Sequence, residues 1–273
     1  MELKFSKMNG NGNDFIVINN MDLSVDPTCM GSLARQLCKR RFSIGADGLI
    51  SIEPSKDAHF TMHLVNSDGS LAEMCGNGAR CAALYAFKMG IAPRNMTFST
   101  PAGNIEASIT PNGVSISMGR LSLEGVTQEQ SMTVEGQNIV YWHLTVGVPH
   151  TVIFLPTSAP QSKEALRELS IAIQGDIKRF PHSTNVNYVK LYKDSLHTLT
   201  FERGVGDFTL SCGTGSIASA VVAWLRGMVK PPVEVQNPGG VNLVHFKEIQ
   251  KNLLKVSLEG PAEFSFEGVV TIE

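Results

Sequence analysis

No run of five basic residues occurs in this 273-residue chain, and 23 lysines and arginines nearly balance 25 aspartates and glutamates, for a net charge of −2. Such a surface offers little to nucleic acid or to an anionic membrane, so neither is expected as a partner. No apolar stretch reaches 18 residues, which argues against a membrane-spanning helix, and Met1-Glu2-Leu3-Lys4-Phe5 does not read as a signal peptide. Five cysteines make an odd number without a framework spacing, in a chain too long to need covalent staples. Reduced thiols and a cytoplasmic location are the expectation. The cysteine spacings include no CxxC pair, so no metal site is expected. There is no Walker-type Gly-Lys-Ser/Thr loop, and neither glycine-rich loop contains a lysine that could hold pyridoxal phosphate, so no cofactor is expected either.

What the chain has is a stretch that occurs twice. Cys75-Gly76-Asn77-Gly78 and Cys212-Gly213-Thr214-Gly215 each place a cysteine before Gly-x-Gly and then a long apolar run. The runs stay uncharged from Cys81 to Phe87 and from Ile217 to Leu225. Each ends at a glycine 15 residues past its cysteine (Gly90, Gly227), with proline soon after (Pro93, Pro231). These are helix stop signals, and a helix apolar on every side belongs inside the protein. Two buried helices, each opening on a cysteine, follow.

The rest of the chain supports a duplication. At the offset of 137 set by the two cysteines, Asn66 falls on Arg203 and Gly48 on Asn185; Gly12-Asn13-Asp14-Phe15 meets Gly147-Val148-Pro149-His150 at 135. Strands are expected around 3–19, 48–52, 60–65, 96–99, 104–109 and 114–118, with a short helix at 31–41. The second half reads likewise: strands at 131–134, 138–146, 151–155, 186–192, 196–202, 233–236, 241–246 and 252–259, a helix at 162–174, and a final strand pair at 263–272. The fold class is therefore α/β (α+β). It comprises two pseudo-symmetric domains, 1–118 plus 263–273 and 119–262, each a strand-rich, barrel-like sheet around a central helix, with the active site in the cleft between them. Gly213-x-Gly215-x-x-Ala218 also fits a dinucleotide fingerprint, but too little chain follows for a doubly wound domain and no parallel βαβ pattern is evident.

Helix N-termini carry free N–H groups and partial positive charge, so each suits a carboxylate and favours a thiolate, lowering a thiol pKa toward neutrality. Two such cysteines flanking one carbon make a two-base device, one removing an α-proton and the other delivering a proton to the opposite face. Alone, either cysteine reads as a small buried hydrophobe; the duplication argues against that. Cys81, Cys29 and Cys38 read as structural. Arg203 suits a carboxylate and Glu202 an ammonium group, although an isolated surface ion pair would look the same. His150 ends a Gly-Val-Pro-His turn and is a structural residue or a tuner of thiol pKa.

Gly-Asn-Asp-Phe (12–15), Asn-Ser-Asp-Gly-Ser (66–70), Cys-Gly-Asn-Gly-Ala-Arg-Cys (75–81), Glu-Arg-Gly (202–204), Cys-Gly-Thr-Gly (212–215) and Pro-Gly-Gly (238–240) together resemble the diaminopimelate epimerase family. The resemblance runs in order over nearly the whole chain. It implies a homodimer that interconverts LL- and meso-diaminopimelate without pyridoxal phosphate, for lysine and peptidoglycan. It also implies a catalytic pair, Cys75 and Cys212, and thiol tuning by His150 and Glu202. The reacting carboxylate would rest on the N–H groups of Gly76, Asn77, Gly213 and Thr214. The distal end of the substrate would be held by Asn66, Asn185, Glu202 and Arg203, with Asn13 lining the pocket. Two positions depart from the family: Val148 stands where Asn is frequent, and Gly48 where Gln is. A racemase for another amino acid, or a non-catalytic amino-acid binder, are the alternative readings.

Overall fold

The computed structural model describes residues 2–134, 136–156 and 162–272. The chain divides into two compact units, Met1–Ser117 with Glu259–Glu273, and Met118–Leu258.

In the first unit the strands are β1 (Glu2–Gly10), β2 (Asn13–Asn19), β3 (Gly48–Glu53), β4 (Phe60–Asn66), β5 (Leu71–Ala72), β6 (Asn95–Thr100), β7 (Gly103–Thr110) and β8 (Gly113–Ser122). Helix α1 (Met30–Leu37) lies between β2 and β3, and α2 (Gly76–Lys88) between β5 and β6. The β1–β2 hairpin turns on Asn11 and Gly12, both at positive φ (54° and 82°), the conformation that Asn-Gly supplies at little steric cost. β8 carries the chain into the second unit, which holds β9 (Thr127–Val134), β10 (Gln137–Val146), β11 (Val148–Phe154), α3 (Lys163–Gly175), β12 (Asn185–Tyr192), β13 (Ser195–Glu202) and β14 (Asp207–Phe208). Helix α4 (Gly213–Leu225), β15 (Val233–Asn237) and β16 (Gly240–Gln250) follow; β17 (Leu253–Gly260) leads back, and β18 (Glu263–Thr271) pairs with β1.

Strand order is the same in both units. β1-β2-β3-β4-β6-β7 in the first corresponds to β10-β11-β12-β13-β15-β16 in the second. Each series contains two parallel pairs, β2–β3 and β4–β6, or β11–β12 and β13–β15, and each parallel pair is joined through a helix. The expectation that parallel βαβ units are missing is thus corrected. Strand periodicity reports which face is buried, not which neighbour a strand chooses. A dinucleotide-binding fold still does not form, because β15 leads directly into an antiparallel hairpin with β16.

The two cysteine-led helices are the centres of their units. α2 packs on β1, β2, β3, β4 and β7, and α4 on β10, β11, β12, β13, β15 and β16. In α4 every residue from Gly215 to Ala223 is buried, as the uncharged run requires. In α2 the corresponding stretch is buried with one charged member, Arg80, which is fully covered. The outer helices are amphipathic. α1 buries Met30, Leu33, Ala34 and Leu37 against Ile16, Leu49 and Val65, while α3 buries Leu166 and Ile173 against Val186, Tyr188 and Phe201. Cys38 and Cys81 are core residues whose thiols burial pushes up to about 11 and about 12. Cys29, expected to be structural, is exposed at a short 3-10 turn, where the chain enters α1 over the surface.

Candidate active site

Register places the expected residues at equivalent ends of the two sheets. Phe15 pairs with Gly48 and Gly48 with Asn66, where β2 and β3 begin and β4 ends. His150 pairs with Asn185, and the β12–β13 register carries Asn185 opposite Glu202. Asn66 is therefore equivalent to Glu202, and the expected match with Arg203 is off by one. The extra residue lies in the turn after the strand: three residues link Asn66 to Ser70, and four link Glu202 to Asp207. Arg203 is the first residue of that longer turn.

In the first unit Cys75 is the N-cap of α2, in extended conformation (φ −139°, ψ 123°), and its carbonyl accepts the first helical bond from Ala79 (2.8 Å). The N–H groups of Gly76 and Asn77 lie in the first turn of the helix, ahead of that bond. The Cys75 thiol donates to Asn13 Oδ1 (3.6 Å), and Asn77 Nδ2 donates to the same oxygen (3.3 Å). Asn13 Nδ2 donates to Asp47 Oδ2 (2.6 Å), and Asp47 also receives Arg40 (3.0 Å). Asp14 bonds both Arg40 and Lys7. Burial raises its pKa, but the bonds from Arg40 and Lys7 outweigh this and hold it below the usual carboxylate range. Asn66, closing β4, donates Nδ2 to Ser70 Oγ (3.0 Å).

In the second unit Cys212 is the extended N-cap of α4 (φ −112°, ψ 112°), but its sulfur has the opposite role: it accepts from the Gly215 N–H (3.4 Å) and lies 3.5 Å from Thr214 Oγ1. Glu202 stands beside this thiol and accepts from Thr209 Oγ1 (2.6 Å). Asn185 Oδ1 accepts from the Arg203 backbone N–H (2.9 Å), and the Arg203 guanidinium donates to the His182 carbonyl (2.6 Å). The expectation of a thiol lowered by the helix end is corrected for Cys212. Burial first, then the negative Glu202, push its pKa up, outweighing the bonds from Thr214 and Gly215. Glu202 is itself raised by burial, so both members of this pair are biased toward their protonated forms.

A family model described as diaminopimelate epimerase matches residues 5–124 and 143–265. The chain belongs to the diaminopimelate epimerase family. Relatives bearing that family name include one from Caldanaerobacter subterraneus subsp. tengcongensis, 38% identical over 99% of this chain and 100% of its own length, and one from Aquifex aeolicus, 36% identical over 99% of each. Among solved structures, a probable proline racemase from Agrobacterium radiobacter (TM-score 0.69, 16% identity, 99% of this chain and 93% of that one) shares the fold. A hydroxyproline epimerase from Agrobacterium vitis does so too (TM-score 0.68, 17% identity, 98% and 92%).

Within this epimerase family the two departures acquire physical meaning. A Cβ at Gly48 would meet the Val65 carbonyl oxygen at 2.8 Å and Leu64 Cδ1 at 3.2 Å, so on this backbone the position has no room for a side chain. Val148 opens β11 where Asn13 opens β2, so the Cys212 half lacks the amide that Cys75 uses.

His150 lies within β11, not in a turn before it, and is fully buried. Its Nδ1 is 3.1 Å from Asn187 Nδ2, a donor, so Nδ1 accepts and the proton sits on Nε2, which has no hydrogen-bond partner among the described residues. Its hydrogen-bond partner is thus Asn187 rather than a sulfur. Sequence reasoning missed Asn187, which also receives Thr200 Oγ1 (3.0 Å) beneath the first turn of α4. Apolar alternation at Val186 and Tyr188 puts Asn187 on the opposite face of β12, which the sequence does not mark as buried; the structure buries both faces there.

Burial lowers the His150 pKa to about 3. An unfolded chain protonates this residue near pH 6.5 while the folded one does not, so its contribution to stability is full above about 6.5 and is lost as pH falls toward 3. Urea unfolding at pH 7 and pH 4.5 should show wild type losing more stability than His150→Gln, by up to ~1.4 kcal/mol per pH unit. Equal losses would contradict the burial account.

Proposed function

We propose that this chain is a cofactor-independent epimerase that interconverts LL- and meso-2,6-diaminopimelate, with Cys75 and Cys212 as its two bases, in the supply of lysine and peptidoglycan precursors. The observation that carries this reading is the matched pair of buried helices, each opening on a cysteine N-cap, in a member of the diaminopimelate epimerase family. The N–H groups of Gly76, Asn77, Gly213 and Thr214 would take the reacting carboxylate and stabilise the charge that grows on it as the α-proton leaves. Asn66, Asn185, Glu202 and Arg203 would hold the distal amino-acid end, with Asn13 lining the pocket. Glu202 would also tune Cys212, since its negative charge, with burial, favours the protonated sulfur. His150 would act on Cys212 through Asn187 rather than by contact. The proton inventory closes with side chains alone: one sulfur gains the substrate proton as the other gives one up. The enzyme is read as a cytoplasmic homodimer. Among the described residues, no helix is long and apolar enough to cross a membrane.

The test is deuterium wash-in. In D₂O and reducing buffer, LL-diaminopimelate should be converted to meso product that carries α-deuterium, and lysine, histidine and glutamate should exchange far more slowly. Faster exchange with one of those three would move the substrate assignment. No exchange with any of them would leave an amino-acid binder.

A further inference from the structure

We propose that Asp47 is a positioning residue which, with Arg80, holds the Asn13 carbonyl toward Cys75 and so favours the protonated form of that thiol. Asp47 opens no helix and belongs to the Gly45-Ala46-Asp47-Gly48 turn ahead of β3, so its sequence context reads as loop chemistry.

The polarity of Asn13 is dictated from two sides. Ionised Asp47 can only accept hydrogen bonds, so the Asn13 atom 2.6 Å from it is the NH₂ group. The amide oxygen then faces the other way, toward Cys75. From the other side, Arg80 can only donate. Its guanidinium lies 2.9 Å from Asn77 Oδ1, so Asn77 must turn its own NH₂ outward, and that group meets Asn13 Oδ1 at 3.3 Å. Arg40 holds Asp47 (3.0 Å), and the Pro261 carbonyl holds Arg80 Nε (3.2 Å), so both ends of the chain of contacts are anchored. An amide held this way offers Cys75 an acceptor, which binds S–H and repels S⁻.

The other sulfur is treated differently. Cys212 receives the Gly215 N–H and has the Glu202 carboxylate beside it rather than an amide, since Val148 stands where Asn13 does. The duplicated halves thus give their sulfurs different acceptors, an amide oxygen at Cys75 and a carboxylate at Cys212. Arg80 and Cys81 on α2 act on Cys75 through charge, and Asp47 and Arg40 ahead of β3 reach it through Asn13.

The functional meaning rests on Cys75 being one of the two bases, but the test does not need turnover. Alkylation of Cys75 by iodoacetamide, read on its own peptide by mass spectrometry across pH, reports the thiolate fraction directly. In Asp47→Asn the neighbour can donate as well as accept, freeing the Asn13 amide to turn its NH₂ toward sulfur. The Cys75 midpoint should fall by on the order of one pH unit, Asp47→Ala should move it in the same direction, and Asp47→Glu should largely restore it. Side-chain exposure of 46% at Asp47 makes these variants compatible with folding. A midpoint that stays put or rises in both Asn and Ala variants overturns the proposal, whatever happens to stability. Asp47→Asn and Asp47→Ala also remove one negative charge, so Asn13→Ala, which removes the acceptor and leaves every charge in place, is measured beside them: it too should lower the Cys75 midpoint, and a fall confined to the Asp47 variants overturns the proposal. Deuterium wash-in run in parallel separates the two ideas: absent exchange with a moving midpoint removes the epimerase reading alone.

Discussion

Cys75→Ser and Cys212→Ser should each lower epimerisation of LL-diaminopimelate by about a thousandfold or more. Serine preserves the size of the side chain and can reproduce both observed bonds, the donation to Asn13 Oδ1 and the acceptance from the Gly215 N–H. What it removes is acidity, because a hydroxyl neither ionises near neutral pH nor returns a proton as readily as a thiol. Folding should therefore be retained while chemistry is lost, which circular dichroism and calorimetric binding of substrate would establish on the same samples. Turnover within tenfold of wild type in either variant would mean that its sulfur is not an acid or base in the reaction.

The second large effect concerns glycines at equivalent places in the two helices. Gly78 and Gly215 each stand three residues past a cysteine, inside α2 and α4. Helix propensity alone favours alanine at both, by about 1 kcal/mol. The surroundings reverse the sign at one of them. A Cβ at Gly78 would touch Ile50, Leu64 and Met62 methyls at 3.5 Å, ordinary contact. A Cβ at Gly215 would sit 2.5 Å from Asn187 Oδ1, 2.8 Å from Thr200 Oγ1 and 3.2 Å from Cys212 Cβ. Gly78→Ala should stabilise by about 0.5–1 kcal/mol in urea unfolding, and Gly215→Ala should destabilise by about 1–3 kcal/mol. Gly215→Ala should also depress turnover, since relief of the clash displaces either the Asn187 network or Cys212. Similar effects at the two positions would show that the polar packing under α4 is looser than the distances imply.

The two central helices were legible because nothing else explains runs of seven and nine uncharged residues, each behind a cysteine and a glycine pair. Their caps followed from the same stretch. The registers of β4 and β13 were not legible, since one additional residue in the Arg203–Gly206 turn cannot be assigned to a turn or a strand by counting from the cysteines. Asp47 was hidden for a related reason: between two glycines it reads as turn-former, and only folding brings it within 2.6 Å of Asn13. The upward shift of Cys212 was beyond sequence reasoning as well. A helix end is visible in sequence, but the burial and the carboxylate that outweigh it come from β13 and the packed core.

The account rests on two thiols acting on opposite faces of one carbon, and isotope distribution at early conversion reads this directly. LL-diaminopimelate incubated with the enzyme in D₂O should yield meso product carrying deuterium at the inverted carbon, while unreacted LL substrate remains almost free of it. Comparable deuterium in substrate and product from the first turnovers would show a single base that exchanges its proton with solvent and returns it to either face, contradicting the two-thiol account.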